Sequence, residues 1–203
     1  MGAYDDGTRA AYYPDEILSI AVSPLALIDS YNGSAYKLGF SLRPSRSLRL
    51  TADAGGYVPG LSSSVSDFDN LSGYHFRSSF GLTSASNASG HAFGLSYQYK
   101  RQDFTYEGKT VPSPIDYVGA VSKYAHSYNL YYARDLRLGL RFFLEFRAEA
   151  GVRYREIFNS HNDLVSDTEG WRDSWFSGRI TNQKRLIPNF AITVRLNYSV
   201  WLR

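Results

Sequence analysis

Apolar and polar side chains alternate along most of this chain with a period of two. The clearest run is RLGLRFFLEFRAEAGVRYR, residues 137–155. Leu138, Leu140, Phe142, Leu144, Phe146, Ala148, Ala150, Val152 and Tyr154 share one parity, and the other holds Arg141, Glu145, Arg147, Glu149, Arg153 and Arg155 with Gly139, Phe143 and Gly151. Strand side chains point alternately to opposite faces, so the run predicts one long strand with an apolar face and a charged face. A helical wheel would mix the two sets.

The same signal recurs along the sequence. Residues 16–28 read as a first strand, with Pro24 near one end where a missing ladder donor is tolerated. A DSYNG turn leads to a second strand, 34–43, with Tyr36, Leu38, Phe40 and Leu42 opposite Lys37, Gly39, Ser41 and Arg43. A PSR turn then enters a third, 47–58, with Leu48, Leu50, Ala52 and Ala54 opposite Arg49, Thr51 and Asp53. After a loop at 59–72, a fourth strand covers 73–83 and sets Tyr74, Phe76, Phe80 and Leu82 against His75, Arg77 and Ser79. The fifth spans 91–104 with Lys100 on its polar face. A loop is expected over 105–121, then a sixth strand at 123–133 and a turn at Arg134-Asp135. The seventh is the run quoted first. A connection from about 159 to 185 precedes an eighth strand, 189–202, and its second half reads equally well as a strand extension.

The expected fold class is therefore all-β, an antiparallel up-and-down β-barrel of about eight strands. Residues 1–15 are polar and unpatterned and are expected to form a flexible leader, with 16–203 as one barrel domain. Connections after strands two, four and six are short, and those after three, five and seven are long. One rim thus carries tight turns and the other large loops. Strand lengths fall near the roughly 9–11 residues that cross a bilayer when tilted.

Alternation alone does not say which face is wet. In a water-soluble barrel the apolar face is the core; in a transmembrane barrel it meets lipid, and the charged face lines the lumen. Strand length and loop asymmetry favour the transmembrane arrangement. An Arg on the lipid face would cost about 2–4 kcal/mol at the midplane, so the charges must point inward. The expected lumen network is Lys37, Arg43, Arg49, Asp53, Arg77, Lys100, Arg141, Glu145, Arg147, Glu149, Arg153 and Arg195. In a barrel of eight strands these side chains fill the interior and must pair with one another.

Composition narrows the function classes. Aromatic residues make up 16% of the chain, which suits strands and membrane interfaces, and no apolar run approaches a membrane-spanning helix. The net charge of +3 is spread along strands and not clustered, so no nucleic-acid partner is expected. There is no cysteine, which removes disulfides and thiol chemistry. The four histidines, 75, 91, 126 and 161, lie on separate elements without a metal-binding spacing, and neither a metal nor another cofactor is expected.

The chain resembles the small outer-membrane β-barrel proteins of Gram-negative bacteria, the OmpA-like transmembrane type. More narrowly, it is similar to an uncharacterised barrel family whose first strand ends in an Asn-Pro-Leu-x-Leu pattern. Here those positions read SPLAL, Ser23 to Leu27, followed by LGFSLRPSRSLRLTADAGGY. The resemblance covers the first sixty or so residues, and Ser23 replaces the usual Asn. It implies a location in the cell outer membrane and supplies no catalytic residues.

The leading expectation is a non-enzymatic structural or accessory subunit of an outer-membrane protein complex. It would contact lipid with its wall and other outer-membrane proteins with its long loops, where Tyr106, Tyr117, Trp171 and Trp175 supply aromatic anchors. Two alternatives remain open. One is a narrow pore or transport barrel; the other is a rim-located lipid- or peptide-modifying enzyme, for which His161 with Asp163 and Asp167 is the candidate group.

Overall fold

The computed structural model describes residues 16–24, 35–45, 47–57, 69–83, 90–109, 116–139, 141–161, 163 and 180–202. They form eight strands: β1 (Glu16–Val22), β2 (Ala35–Ser45), β3 (Leu48–Tyr57), β4 (Asp69–Thr83), β5 (His91–Lys109), β6 (Asp116–Arg137), β7 (Phe142–Asn159) and β8 (Gln183–Leu202). Each pairs antiparallel with the next, and β1 pairs with β8, so the sheet closes into an up-and-down barrel with no free edge. Among the described residues no helix is long and apolar enough to cross a membrane.

The alternation read from the sequence sorts side chains between the two sides of this wall. On β7, Phe142, Phe146 and Val152 are exposed on the outside, while Glu145, Arg147 and Glu149 are buried inside. On β8 the contrast is sharper: Ile192 is 84% exposed and Phe190 78%, whereas Arg195 is fully buried. The molecule thus inverts the usual arrangement, with most of its large apolar side chains outside and guanidinium groups at the centre.

Five element boundaries differ from the sequence expectation, the first being β4, which begins at Asp69 inside the expected 59–72 loop. The first strand ends at Val22, and residues 25–28 lie outside the described set. The connection at 159–185 becomes strand from Gln183. The expected loop at 105–121 is largely strand. The β5–β6 ladder continues without interruption from His91↔Arg134 to Lys109↔Asp116, leaving only residues 110–115, with both prolines, as the link. This extension forms because Phe104, Tyr106, Val121 and Ile157 share one inward cluster with Ile180, and burying these side chains favours further pairing.

The turn expected at Arg134-Asp135 lies instead at residues 138–141. Its backbone is closed by Leu138 N and Gly139 N donating to the Phe142 carbonyl at 2.9 and 3.2 Å. Parity explains the shift: Ala133 and Asp135 continue the inward series of β6 after Tyr131, and all three are buried.

The strands are unequal. β1 to β3 have 7, 11 and 10 residues, whereas β5 to β8 have 19, 22, 18 and 20. One flank of the barrel therefore rises well beyond the other on the side of the long connections.

Candidate functional site: a ring of alternating charges in the lumen

Five guanidinium groups and four carboxylates meet inside the barrel. Glu145, on β7, is fully buried and takes three of them: Arg147 Nε at 2.8 Å, Arg195 Nη1 at 2.8 Å and Arg49 Nη2 at 2.5 Å. From Arg195 the contacts run to Asp53 (Nη2 to Oδ1, 2.9 Å), then from Asp53 to Arg77 (Oδ2 to Nη2, 2.6 Å). Arg77 reaches Glu149 (3.4 Å), and Glu149 is 3.6 Å from Arg147, which returns to Glu145. These six side chains make a closed cycle of alternating sign across β3, β4, β7 and β8.

A branch leaves the cycle toward the short-turn rim. Arg49 Nη1 donates to both oxygens of Asp135, at 3.1 and 3.0 Å, and Arg43 Nη2 donates to Asp135 Oδ2 at 2.6 Å. Asp135, placed in a turn by the sequence reading, is thus a network member that was missed. Its inward parity with Tyr131 and Ala133 was the signal that could have found it.

Neutral groups take several of the other donor positions. Arg147 donates through Nη1 to Ser79 Oγ (3.1 Å) and through Nη2 to Thr51 Oγ1 (3.3 Å), and its guanidinium lies 4.2 Å from the Tyr131 ring centroid. Arg77 Nη1 donates to Thr193 Oγ1 at 3.1 Å, and Arg49 Nε donates to Ser41 Oγ at 3.1 Å. Small residues make room: a Cβ on Gly81 would overlap the Tyr131 hydroxyl, and one on Gly39 would overlap the Asp53 carboxylate. Buried ions persist only when paired and hydrogen-bonded, and the network meets that condition with side chains from six of the eight strands.

The expected lumen residues are placed as follows. Arg43, Arg49, Asp53, Arg77, Glu145, Arg147, Glu149 and Arg195 belong to the network described. Lys37 and Lys100 also face inward, half-buried, nearer the long-loop rim, and Arg153 does too, donating to Ser127 Oγ at 3.1 Å. Arg141 does not. It stands exposed on the β6–β7 turn with Nη1 3.5 Å from the Tyr198 hydroxyl, because the turn sits where strand parity had been counted through it.

The aromatic residues expected on loops also move. Tyr106 lies on β5 inside the barrel and is 1% exposed. It exchanges hydrogen bonds with Asn159, whose Nδ2 is 2.9 Å from the phenol oxygen. Gly119, its cross-strand partner, leaves space for the ring. Tyr117, on β6, packs edge-on against Tyr106 with centroids 5.9 Å apart. Trp171, Trp175 and Asp167 lie outside the described residues. At the same rim His161 Nδ1 is 2.8 Å from Ser160 Oγ, and that hydroxyl accepts from Ala120 N at 3.0 Å. The contact with Ala120 ties the Ser160 side chain to the end of β6, while Asp163 is exposed beside it.

Outside the wall, tyrosines cluster toward the long-loop side. Tyr74 and Tyr99 have ring centroids 5.8 Å apart, and Tyr97 and Tyr128 are 5.3 Å apart. Beyond them come polar pairs: Arg101 Nε to Asp103 Oδ2 at 2.8 Å and Lys184 Nζ to Glu156 Oε1 at 3.1 Å. Comparison with family models, curated proteins and solved structures gave no match for this chain.

Proposed function

We propose that this protein is a transmembrane β-barrel of the Gram-negative outer membrane, non-enzymatic, acting as a structural or accessory subunit that presents its taller flank and long connections to another outer-membrane protein. The observation that carries the reading is the inverted section of the barrel: exposed Phe190, Ile192, Leu95 and Leu130 around a fully buried Arg–Glu network. In water such an exterior would be a large unpartnered apolar surface. In a bilayer it is the favourable face, and the closed ladder satisfies every strand edge, as hydrocarbon requires. The tyrosine cluster followed by ion pairs fits the interface where such a wall leaves the membrane. The resemblance of the chain to OmpA-like barrels points the same way.

The accessory role is supported by what lies beyond that interface. Val118 and Phe158 remain exposed, at 60% and 48%, on the parts of β6 and β7 that extend past the tyrosines, where lipid would no longer cover them. Such positions suit contact with a protein neighbour. The test is purification from native membranes in a mild detergent, with the associated proteins identified by mass spectrometry. A stoichiometric outer-membrane companion supports the role, and recovery of the barrel alone removes it. Planar-bilayer recordings are expected to show no conductance steps, since the ring occupies the lumen; regular steps from the wild type would replace the accessory reading with that of a pore.

A further inference from the structure

Charge on the outer surface is divided unevenly between the two rims. Among the side chains described, every carboxylate outside the lumen, namely Asp103, Glu107, Asp116, Glu156 and Asp163, lies toward the long-loop side, where Arg101 and Lys184 pair with two of them. Toward the short-turn side the exposed charges are Arg134 and Arg141, with no described carboxylate on the outside to meet them.

Arg134 stands on the wall itself. It precedes the turn at 138–141 by four residues and alternates outward with Tyr132 and Leu136, between buried Ala133 and Asp135. Its cross-strand partners are His91 on β5 and Phe146 on β7. Among the described residues it forms no ion pair, and Phe93, Leu136 and Phe146 around it are exposed. A lone guanidinium on an apolar wall needs an anionic partner or water, and its flexible stem lets the head reach toward the rim. His91 adds a second polar group: its Nδ1 is hydrogen-bonded to the Tyr132 hydroxyl, with the ring centroids 5.6 Å apart. When Nδ1 accepts from the phenol, the ring proton is on Nε2, which is then a donor. Directly opposed residues have Cβ atoms about 4.5–5.5 Å apart, close enough for the guanidinium and the imidazole to serve one ligand.

We propose that Arg134 and His91 form a binding site for the phosphate of an anionic glycerophospholipid in the leaflet at the short-turn rim. The inference rests on the membrane placement proposed for the barrel. Guanidinium and phosphate pair bidentately, and the acyl chains of a lipid find Phe93, Leu136 and Phe146 beside the site, surface that a free phosphate ion would not use. A net negative headgroup is favoured over a zwitterionic one because no described carboxylate stands nearby on the outside to receive an ammonium group.

Native mass spectrometry of the full chain in neutral detergent, with dioleoylphosphatidylglycerol and dioleoylphosphatidylcholine at equal concentration, tests the site. The wild type is expected to retain phosphatidylglycerol about fivefold more, the worth of one arginine near an anionic lipid. Arg134→Gln should abolish the preference, with Arg134→Met in its place if that variant does not close by heat-modifiable gel mobility. His91→Phe should lower the preference about twofold, as for one lost hydrogen bond, and Arg101→Gln at the opposite rim should leave it unchanged. No preference in the wild type, full preference in a closed Arg134 variant or in His91→Phe, or equal loss in Arg101→Gln would each overturn the assignment. Displacement of the lipid by inorganic phosphate at the same concentration would overturn it too. Folding of the wild type into pure phosphatidylcholine vesicles checks the membrane placement separately: insertion there without a preference for phosphatidylglycerol overturns this site alone, and failure to insert into any vesicle overturns both.

Discussion

Glu145 and Arg195 are cross-strand partners on β7 and β8, and the Arg195 Nη1 donates to Glu145 Oε2 at 2.8 Å in a position fully closed to solvent. Two further guanidiniums, from Arg49 and Arg147, converge on the same carboxylate. Glu145→Gln keeps the shape and removes the charge, leaving three arginines with one compensating group fewer. Breaking a buried pair by deleting one partner costs about 3–5 kcal/mol. Urea unfolding of the variant, followed by intrinsic fluorescence and gel mobility, is expected to show a loss in that range, and a change below about 1 kcal/mol would mean that the ring contributes little to closure.

Gly81 and Tyr131 predict a compensating pair. Gly81→Ala drives a methyl into the Tyr131 hydroxyl and should destabilise by about 1–3 kcal/mol through overpacking. Tyr131→Phe removes that oxygen, so the double variant should recover part of the loss. A double-mutant cycle with no coupling between the two positions would contradict the packing described.

Ile192, at 84% exposure, tests the surroundings of the wall. In lipid vesicles Ile192→Arg is expected to cost about 2–4 kcal/mol if the position lies near the midplane. On a water-facing surface the same change would be within about 0.5 kcal/mol of neutral. Equilibrium folding into vesicles separates these outcomes, and the neutral one would remove the membrane placement.

Beyond the tyrosines, the hydrogen bond from Tyr154 and the contact with Lys184 hold the Glu156 carboxyl below its ordinary value, and Glu156 holds the Lys184 ammonium above its own. The stabilisation from Glu156 is present above the usual carboxylate range and fades as pH falls through its lowered value. That from Lys184 is present below the usual lysine range and fades as pH rises through its raised value. Between about pH 8, above the ordinary imidazole range because His126 also acts on Glu156, and about pH 10 the pair should therefore add no slope to the melting temperature. Melting curves of Glu156→Gln against wild type check this: a difference that varies with pH inside that window would contradict it.

The period-two signal made the wall legible because a barrel strand has two chemically opposite faces, and every residue votes on the assignment. Arg147, Glu149 and Arg195 could be placed inward from parity alone. Boundaries were harder to read. Asp135 looks like a turn residue by composition, and only the cross-lumen bonds to Arg43 and Arg49 explain why it stays in register. Tyr106 and Tyr117 flank a segment with two prolines and looked like loop residues, yet Gly119 gives the Tyr106 ring a seat inside, a long-range fit that local sequence does not carry. The pairing of particular charges was not legible for the same reason. Arg77 and Glu149 are joined across three strands by the stagger of the closed sheet, which no spacing along the chain encodes.

The charge network also constrains assembly. Strands β1 to β4 bring Arg43, Arg49 and Arg77 against Asp53, an excess of two positive charges, while β5 to β8 bring Asp135, Glu145 and Glu149 against Arg147 and Arg195, an excess of one negative. Neither half is neutral by itself, and each supplies counterions to the other. A sheet entering hydrocarbon strand by strand would carry uncompensated charge until the last hairpin arrived. On the membrane reading proposed above, insertion and closure would be coupled into a single late event, in which each half offsets charge on the other as the final seam between β1 and β8 zips shut.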